Sequence, residues 1–408
     1  MNCFEDLKWR GLIKDISSPE LENKLNNEKL TFYIGTDPTA DSMHIGHFSS
    51  FLIATRLAKY GHKPILLVGG ATGLIGDPKP SNERQMITKE QVEKNVQGLE
   101  RQAKEIFGFE VVNNYDWIKN ISTIDFLRDY GKYINVNYML DKDIIQRRLE
   151  SGITFCEFAY TILQGLDFVH LYEDKNVTLQ VAGSDQWGNI TTGIELARKK
   201  LDKELYGMTM PLVLDSNGVK FGKTEGNALW LDKNKTSSYE LYQYLINSDD
   251  NCVIDYLKKL TFLTKEEIEN IALEHQKQPE NRLAQKALAK EVITFLHGEE
   301  EYEKALQISE ALFSGNIKNL DSKDIEIGLK DVPNFEIKEE LPLIDLLVNN
   351  NIASSRREAR EFISAGSIMI NGDKYTDENE IIGKSKALDS KLLVIRRGKK
   401  KYYIGKYI

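Results

Sequence analysis

The spacing of apolar and polar positions divides the chain into a front part of strand–helix–strand units and a rear part that is first helical, then mixed. Residues 1–30 predict helix, with Leu7, Trp9, Leu12, Ile13 and Ile16 on one apolar face. An apolar run of β type follows at 31–34, then a polar turn. A helix comes next, with Phe48, Phe51, Leu52 and Leu57 on its apolar face and Gly61 placed to end it. A second apolar strand, 64–70, completes a βαβ unit. The pattern recurs as a helix over 88–107, a short strand and mixed helices over 111–152, a helix over 155–170, a strand over 177–183 and a helix over 190–200. In the 155–170 helix, Tyr160, Gln164 and Asp167 recur at i, i+4 and i+7 on a largely apolar cylinder. Few positions there remain for a solvent face, so the three read as a ligand-facing stripe.

Behind residue 236 the periodicity is helical. Ser237-x-x-Glu240 and Thr264-x-x-Glu267 fit capping boxes, and Pro279 opens a helix that ends near Gly298. Residues 316–340 are polar, charged and aperiodic, which predicts a linker. From 341 a compact unit begins: Ser355-x-x-Glu358 caps a helix closed by Gly366. A hairpin follows, with Asn371-Gly372 supplying the turn residues of type I′. The expected architecture is α/β, with a Rossmann-like parallel-sheet domain over 1–225, an all-helical domain over 226–315, the linker, and a small α+β domain over 341–408.

Composition narrows the class. A chain of 408 residues with 41% hydrophobic and 28% charged residues is an ordinary soluble protein of two or three domains. No apolar run approaches the roughly 18 residues of a membrane span. The acidic opening lacks the order of a signal peptide. Cys3, Cys156 and Cys252 lie too far apart for a disulfide framework or a metal knuckle, so a reducing cytoplasm is expected. The net charge of −8 is unevenly spread. Residues 341–408 hold thirteen Lys and Arg against eight Asp and Glu, a net of +5, which leaves −13 on the first 340. A basic end on an acidic body suits a separate nucleic-acid-binding module; a solvating tail is the plainer alternative.

Two short stretches carry the chemistry. In the turn after the first strand, Thr39 and His44-Ile45-Gly46-His47 stand where helix N–H groups favour an anion. His44 and His47 share one helix face and suit nucleotide phosphate oxygens, with Gly46 leaving room for a flat ligand. Zinc fits less well, since no Cys or acidic partner has ligand spacing nearby. Some 175 residues later Lys220-Phe221-Gly222-Lys223-Thr224 follows a turn at 215–218 and offers two cations to departing phosphates. Either stretch alone is as readily a pair of buried histidines or a solvated turn. Together, in this order, they point to nucleotide chemistry. The glycine-dense run 69–76 is expected to admit a ligand against the backbone; Asp77 at its end suits an ammonium group or a turn cap, and Asp185 after the 177–183 strand suits a ribose hydroxyl or a helix cap.

These motifs resemble the class I aminoacyl-tRNA synthetases, with 44–47 as the HIGH motif and 220–224 as the KMSKS motif. Within that class the run 33–47, the loop 68–78, the stretch 182–189 and the lysine stretch resemble the bacterial-type tyrosyl-tRNA synthetases along the whole chain. The resemblance implies activation of tyrosine with ATP to tyrosyl-adenylate and pyrophosphate, then transfer to the terminal adenosine of tRNA. Mg²⁺ is expected to be carried by the ATP phosphates, with no prosthetic group and no protein metal site. It implies catalytic roles for Thr39, His44, His47, Lys220, Lys223 and Thr224. It implies tyrosine contacts for Tyr33, Asp77, Tyr160, Gln164, Asp167 and Gln186. ATP would meet Gly35, Asp37, His44, His47, Gly183, Asp185 and Lys223, and tRNA would meet Arg356, Arg357, Arg360, Lys399 and Lys400 in an S4-type module. Phenylalanine would leave Tyr33 and Asp167 unpaired, so its rejection requires no editing domain, and no inserted one is found.

Two positions depart from the family pattern. Ile34 stands where a small or thiol side chain is expected near the ribose, and the basic residues of 78–84 have no evident match. A homodimer is expected, with 125–155 at the two-fold. Two rivals are a non-catalytic RNA-binding protein, disfavoured because His47 and Lys223 are retained, and a general nucleotidyltransferase, which leaves the carboxy-terminal module unexplained.

Overall fold

The computed structural model describes residues 1–77, 86–149, 152–222, 228–314, 317–330, 332–398 and 401–408. The chain forms two compact units, one of Met1–Thr236 with Ser248–Val292, the other of Ser237–Asn247 with Ile293–Ile408. The expected all-helical domain over 226–315 is therefore shared between the two.

The first unit is built on β1 (Asp15–Ile16), β2 (Thr31–Thr36), β3 (Lys63–Val68), β4 (Glu110–Asn113), β5 (Val177–Gly183) and β6 (Tyr206–Met210), in spatial order β1-β6-β5-β2-β3-β4. All neighbours are parallel except β1 on β6. β1 and the break around it divide the amino-terminal stretch, expected as one helical region, into helices Cys3–Trp9 and Glu20–Asn27. Phe32, Tyr33, Ile65, Leu66, Val177, Leu179 and Val181 are all buried, which is why these strands read as unbroken apolar runs. Tyr33, Leu67, Phe168, Val169, Leu171 and Leu196 belong to one core between the sheet and its helices. Each such side chain contributes about 1.5–3 kcal/mol by leaving water.

Local signals set the helices that flank the site. The Ile45–Lys59 helix starts at a reciprocal cap in which His44 Nδ1 accepts from Gly46 N–H and His47 Nδ1 accepts from His44 N–H, both at 3.1 Å. The Phe155–Lys175 helix starts at the Thr154–Glu157 capping box and ends at Asn176 in the left-handed region (φ 53°), which turns the chain directly into β5. Where this helix crosses the Trp187–Leu201 helix, Gly165 and Gly193 meet backbone to backbone. Strand order reverses between β2 and β5, which opens a crevice beyond their carboxyl ends.

The second unit has a five-stranded sheet. Its strands are β7 (Asn334–Ile337), β9 (Ile368–Ile370), β10 (Asp373–Lys374), β12 (Leu392–Arg397) and β13 (Lys401–Tyr407), in order β10-β9-β12-β13-β7. A two-stranded piece pairs β8 (Leu341–Pro342) with β11 (Ile381–Ile382). The β9–β10 turn has Asn371 and Gly372 both at positive φ, as the hairpin signal predicts. The stretch 316–340 is not an aperiodic linker. It holds the Ser322–Gly328 helix and β7, and Ile317, Leu320, Ile325 and Leu329 pack with Leu392, Val394 and Ile404. Its apolar residues are sparse and follow no period, because they are buried by a sheet formed 70 residues downstream.

Candidate active site

The crevice at the β2/β5 reversal is a cleft of about 350 Å³. The strand ends and the turns after them deliver Tyr33, Ile34, Gly35, Asp37, Thr39, Ala182, Gly183, Asp185 and Gln186 to it. The Phe155–Lys175 helix adds Tyr160, Gln164 and Asp167, so the polar stripe does face inward.

The deep end is dry. Tyr33 is buried beside Phe168, and its hydroxyl has no hydrogen-bond partner among the described residues. Burial, then the charge of Asp167, holds the Tyr33 phenol well above its usual range. Asp167 is buried too and accepts from Asn114 Nδ2 and Trp117 Nε1, each at 2.9 Å. Desolvation pushes its carboxyl up to about 7 against the pull of those two donors. A neighbouring network orders the middle of the cleft: Tyr160 and Thr72 hydroxyls donate to Asp37 at 3.0 and 2.9 Å, and Gln186 and Asn189 amides donate to Asp77 at 2.9 and 3.3 Å. Asp37 thus stands with Tyr160, among the residues expected around the amino acid rather than the nucleotide.

The glycines of 69–73 do not open the backbone to a ligand as expected. A Cβ at Gly69 would lie 2.3 Å from the Asp37 carboxylate and the Thr72 hydroxyl. One at Gly70 would meet Asn113, and one at Gly73 would meet Pro38. These glycines make room for other side chains of the protein. Gly35 is different: a Cβ there meets nothing nearer than 4.0 Å, and the position opens on the cleft. Ile34 is buried and lines the cleft.

At the open end stand Thr39, His44, His47, Asp185 and Lys220. The two imidazoles accept at Nδ1, so each neutral ring carries its proton at Nε2. Burial, then His44, holds the His47 value down to about 3, which keeps that ring neutral at physiological pH. Gly46 is needed for this cap, since a Cβ would come within 2.8 Å of the His44 ring. Lys220 Nζ lies 3.8 Å from Asp185, with each side chain about half exposed (53% and 51%). Gly222, at φ +82°, packs on Ile45, where any Cβ would overlap at 1.7 Å. Residues 229–231 pair with 43–45 through Ile45 N–H to Leu229 O and Leu231 N–H to Met43 O, both at 2.8 Å. The two motifs, 175 residues apart in sequence, are thereby one structure. Lys223 and Thr224 lie outside the described residues, as do Lys399, Lys400 and the loop 78–85.

In the second unit, Arg356, Arg357 and Arg360 are each ion-paired, with Asp345, Glu361 and Glu378 respectively. The functional side chains that periodicity missed are Asn114, Trp117, Thr72 and Asn189. Each acts on a carboxylate far away in sequence, so no local pattern marks it.

The 44–47 turn thus stands at the reversal point of a parallel sheet, with Gly222 packed on Ile45 beside it. Residues 25–314 match the family described as tRNA synthetases class I (W and Y), and residues 324–404 match the tyrosine–tRNA ligase SYY-like C-terminal domain. The chain is 51% identical to the tyrosine–tRNA ligase of Staphylococcus carnosus over 99% of both chains. Among solved structures it is similar to the C-terminally truncated mitochondrial tyrosyl-tRNA synthetases of Aspergillus nidulans (32% identity, TM-score 0.68, covering 76% of this chain and 94% of that one) and Coccidioides posadasii (30%, 0.67, 75% and 91%). The chain belongs to the class I tyrosyl-tRNA synthetase family.

Proposed function

We propose that the cleft performs both steps of tyrosine charging, with the roles divided along its length. As a tyrosyl-tRNA synthetase the chain is a ligase that joins tyrosine to tRNA with ATP as co-substrate. In the first step a carboxylate oxygen of tyrosine attacks the α-phosphorus of ATP, and the bond to the bridging oxygen of pyrophosphate breaks. The carboxylate is already ionised, so no protein base is called for. In the second step a ribose hydroxyl of the terminal tRNA adenosine attacks the activated carbonyl and AMP leaves.

Tyr33 and Asp167 hold the phenol hydroxyl. Asp77, Tyr160 and Gln164, joined by Asp37 through its bond with Tyr160, hold the ammonium end, and Gln186 lies beside the carboxylate. Gly35, Gly183 and Asp185 face the ribose. Thr39, His44 and His47 donate to ATP oxygens, and Lys220, Lys223 and Thr224 stabilise the departing pyrophosphate, with Mg²⁺ arriving on the phosphates. The observation that carries the reading is the Tyr33 hydroxyl, buried and without a partner among the described residues, next to the Asp167 carboxyl in the cleft. A phenol hydroxyl satisfies both at once, and a phenyl ring satisfies neither.

The segment 125–155 exposes Leu127, Val136, Tyr138, Leu149 and Phe155, which suits the two-fold of a homodimer. A sedimentation-equilibrium mass near 46.7 kDa at micromolar concentration overturns that assignment. Residues 341–408 of the second unit serve as the S4-type RNA-binding module, with Arg356, Arg357 and Arg360 exchanging carboxylates for tRNA phosphates. The enzyme works in the cytoplasm, where ATP and tRNA meet.

ATP–pyrophosphate exchange with tyrosine, phenylalanine and tryptophan offered separately tests the core of this reading. Exchange with tyrosine alone supports it. Exchange with tryptophan overturns the Tyr33/Asp167 assignment, and exchange with none of the three overturns activation by this cleft.

A further inference from the structure

The Asp250–Leu260 helix takes no part in lining the cleft, yet its carboxyl-terminal half is bound to the parts that do. At its carboxyl end three carbonyls are capped by buried guanidinium groups. Arg10 donates to Lys258 O (2.9 Å), Thr261 O (3.4 Å) and Leu263 O (2.7 Å), and Arg56 donates to Thr261 O (2.6 Å). Arg56 belongs to the Ile45–Lys59 helix that begins at His44, and the buried Asp6 carboxylate sits between the two arginines. Burial lowers Arg56 to about 10, still charged at neutral pH. Breaking such a buried set strands a charge, so the helix cannot drift from the Ile45–Lys59 helix at small cost.

One turn earlier, Tyr256 touches both arms of the hairpin that carries Lys220. Its hydroxyl donates to Leu214 O at 2.9 Å, and its ring lies 4.8 Å from the ring of Phe221. Leu214 and Phe221 stand on the two arms of a hairpin closed by Asp215 N–H to Val219 O (2.8 Å), Phe221 N–H to Val213 O (2.9 Å) and the Leu214–Lys220 bridge. Phe221 is buried and Lys220, its neighbour, is exposed. Successive side chains of an extended arm point to opposite sides. Both residues line the cleft; holding Phe221 inward against its wall leaves Lys220 on the exposed side, facing Asp185.

We propose that Tyr256 is a positioning residue for the activation step, acting through Phe221 and the Leu214 carbonyl to aim Lys220 at the departing pyrophosphate. This rests on the role given to Lys220 above. Tyr256 touches no substrate; it transfers the rigidity of the Arg10–Arg56 anchorage to a hairpin that is otherwise mostly exposed. A misaimed charge costs rate without costing amino-acid affinity, because tyrosine is held at the other end of the cleft.

The test is single-turnover formation of tyrosyl-adenylate by the full chain, with tyrosine affinity measured in parallel. Variants are Tyr256→Leu, Tyr256→Phe, Lys220→Ala and Tyr256→Leu/Lys220→Ala. Tyr256→Leu is expected to slow adenylate formation about 30-fold with tyrosine affinity within about 2-fold, Tyr256→Phe to slow it only about 3-fold, and the double variant to be no slower than Lys220→Ala alone. A wild-type rate in Tyr256→Leu overturns the proposal, as does a double variant whose losses multiply or a loss of tyrosine affinity in step with rate. If Tyr256→Leu fails to fold, Tyr256→Phe decides: a small loss absent in the Lys220→Ala background supports the assignment, and no loss overturns it. A slow Lys220→Ala beside a normal Tyr256→Leu rejects Tyr256 alone. A normal Lys220→Ala rejects the lysine role and the Tyr256 proposal with it.

Discussion

At the Tyr33 end of the cleft the polar groups are shielded from water and ordered before any ligand arrives, whereas at the other end Lys220 and Asp185 stand in solvent. Asp167 is 1% exposed and already accepts two hydrogen bonds, and Lys220 and Asp185 face each other across 3.8 Å of wet surface. An exposed pair of that kind is worth less than about 1 kcal/mol and exchanges readily for a phosphate. A buried, pre-ordered carboxylate costs far more to leave unpaired. The contrast separates two tasks: choosing an amino acid is done by rigid desolvated groups, and stabilising a leaving polyanion by cations that keep their hydration until the substrate displaces it.

The comparison breaks most severely at its dry end. Asp167→Ala should lower kcat/KM for tyrosine activation by about 4 kcal/mol, since Asn114, Trp117 and the substrate hydroxyl all lose a buried partner. Pyrophosphate exchange measures it, and a loss under tenfold would contradict the dry-end account. Lys220→Ala should cost about 3 kcal/mol, confined to the rate of adenylate formation with tyrosine KM unchanged. A parallel rise in tyrosine KM would erase the division of labour. Gly46→Ala, which forces the His44 ring aside, should cost about 2 kcal/mol in the same rate and raise KM for ATP rather than tyrosine.

Two smaller effects sharpen the contrast. Tyr33→Phe should weaken tyrosine binding by about 1 kcal/mol, yet leave the free protein as stable or slightly more so, because the hydroxyl it removes has no partner among the described residues. Calorimetric unfolding beside a tyrosine titration separates the two signs. The Asp167 carboxyl sits near 7, above its unfolded value. Its contribution to the free protein's stability is therefore full in acid and lost as pH rises from about 4 through 7. Tyrosine affinity should rise over the same upper range as the carboxyl becomes an acceptor. Asp167→Asn should flatten both profiles, and an unchanged inflection in that variant would assign it to another group.

Much of the first unit was legible. The strands around the cleft are buried on both faces and declare themselves as apolar runs, and the capping boxes at Thr264 and, in the second unit, at Ser237 lie where the sequence signals place them. The Tyr160–Gln164–Asp167 stripe faced the cleft because helix geometry alone puts i, i+4 and i+7 on one side. The misreadings share one cause. The glycines of 69–73 look like space for a ligand, but the space is filled by Asp37, Asn113 and Pro38, which come from the turn after β2 and the end of β4. The 316–340 stretch looks like a linker because its few apolar residues wait for strands far downstream.

Residue type and local spacing thus set the strands, the helix caps, the HIGH-type turn and the chemical character of the site, since these depend on interactions within a few residues. Folding in three dimensions alone could assign Asn114 and Trp117 to Asp167, join Gly222 to Ile45, place Asp37 with Tyr160 and brace the lysine hairpin with Tyr256. Those pairings depend on which distant backbones the sheet order brings within hydrogen-bond reach, and no periodicity in the chain encodes that distance.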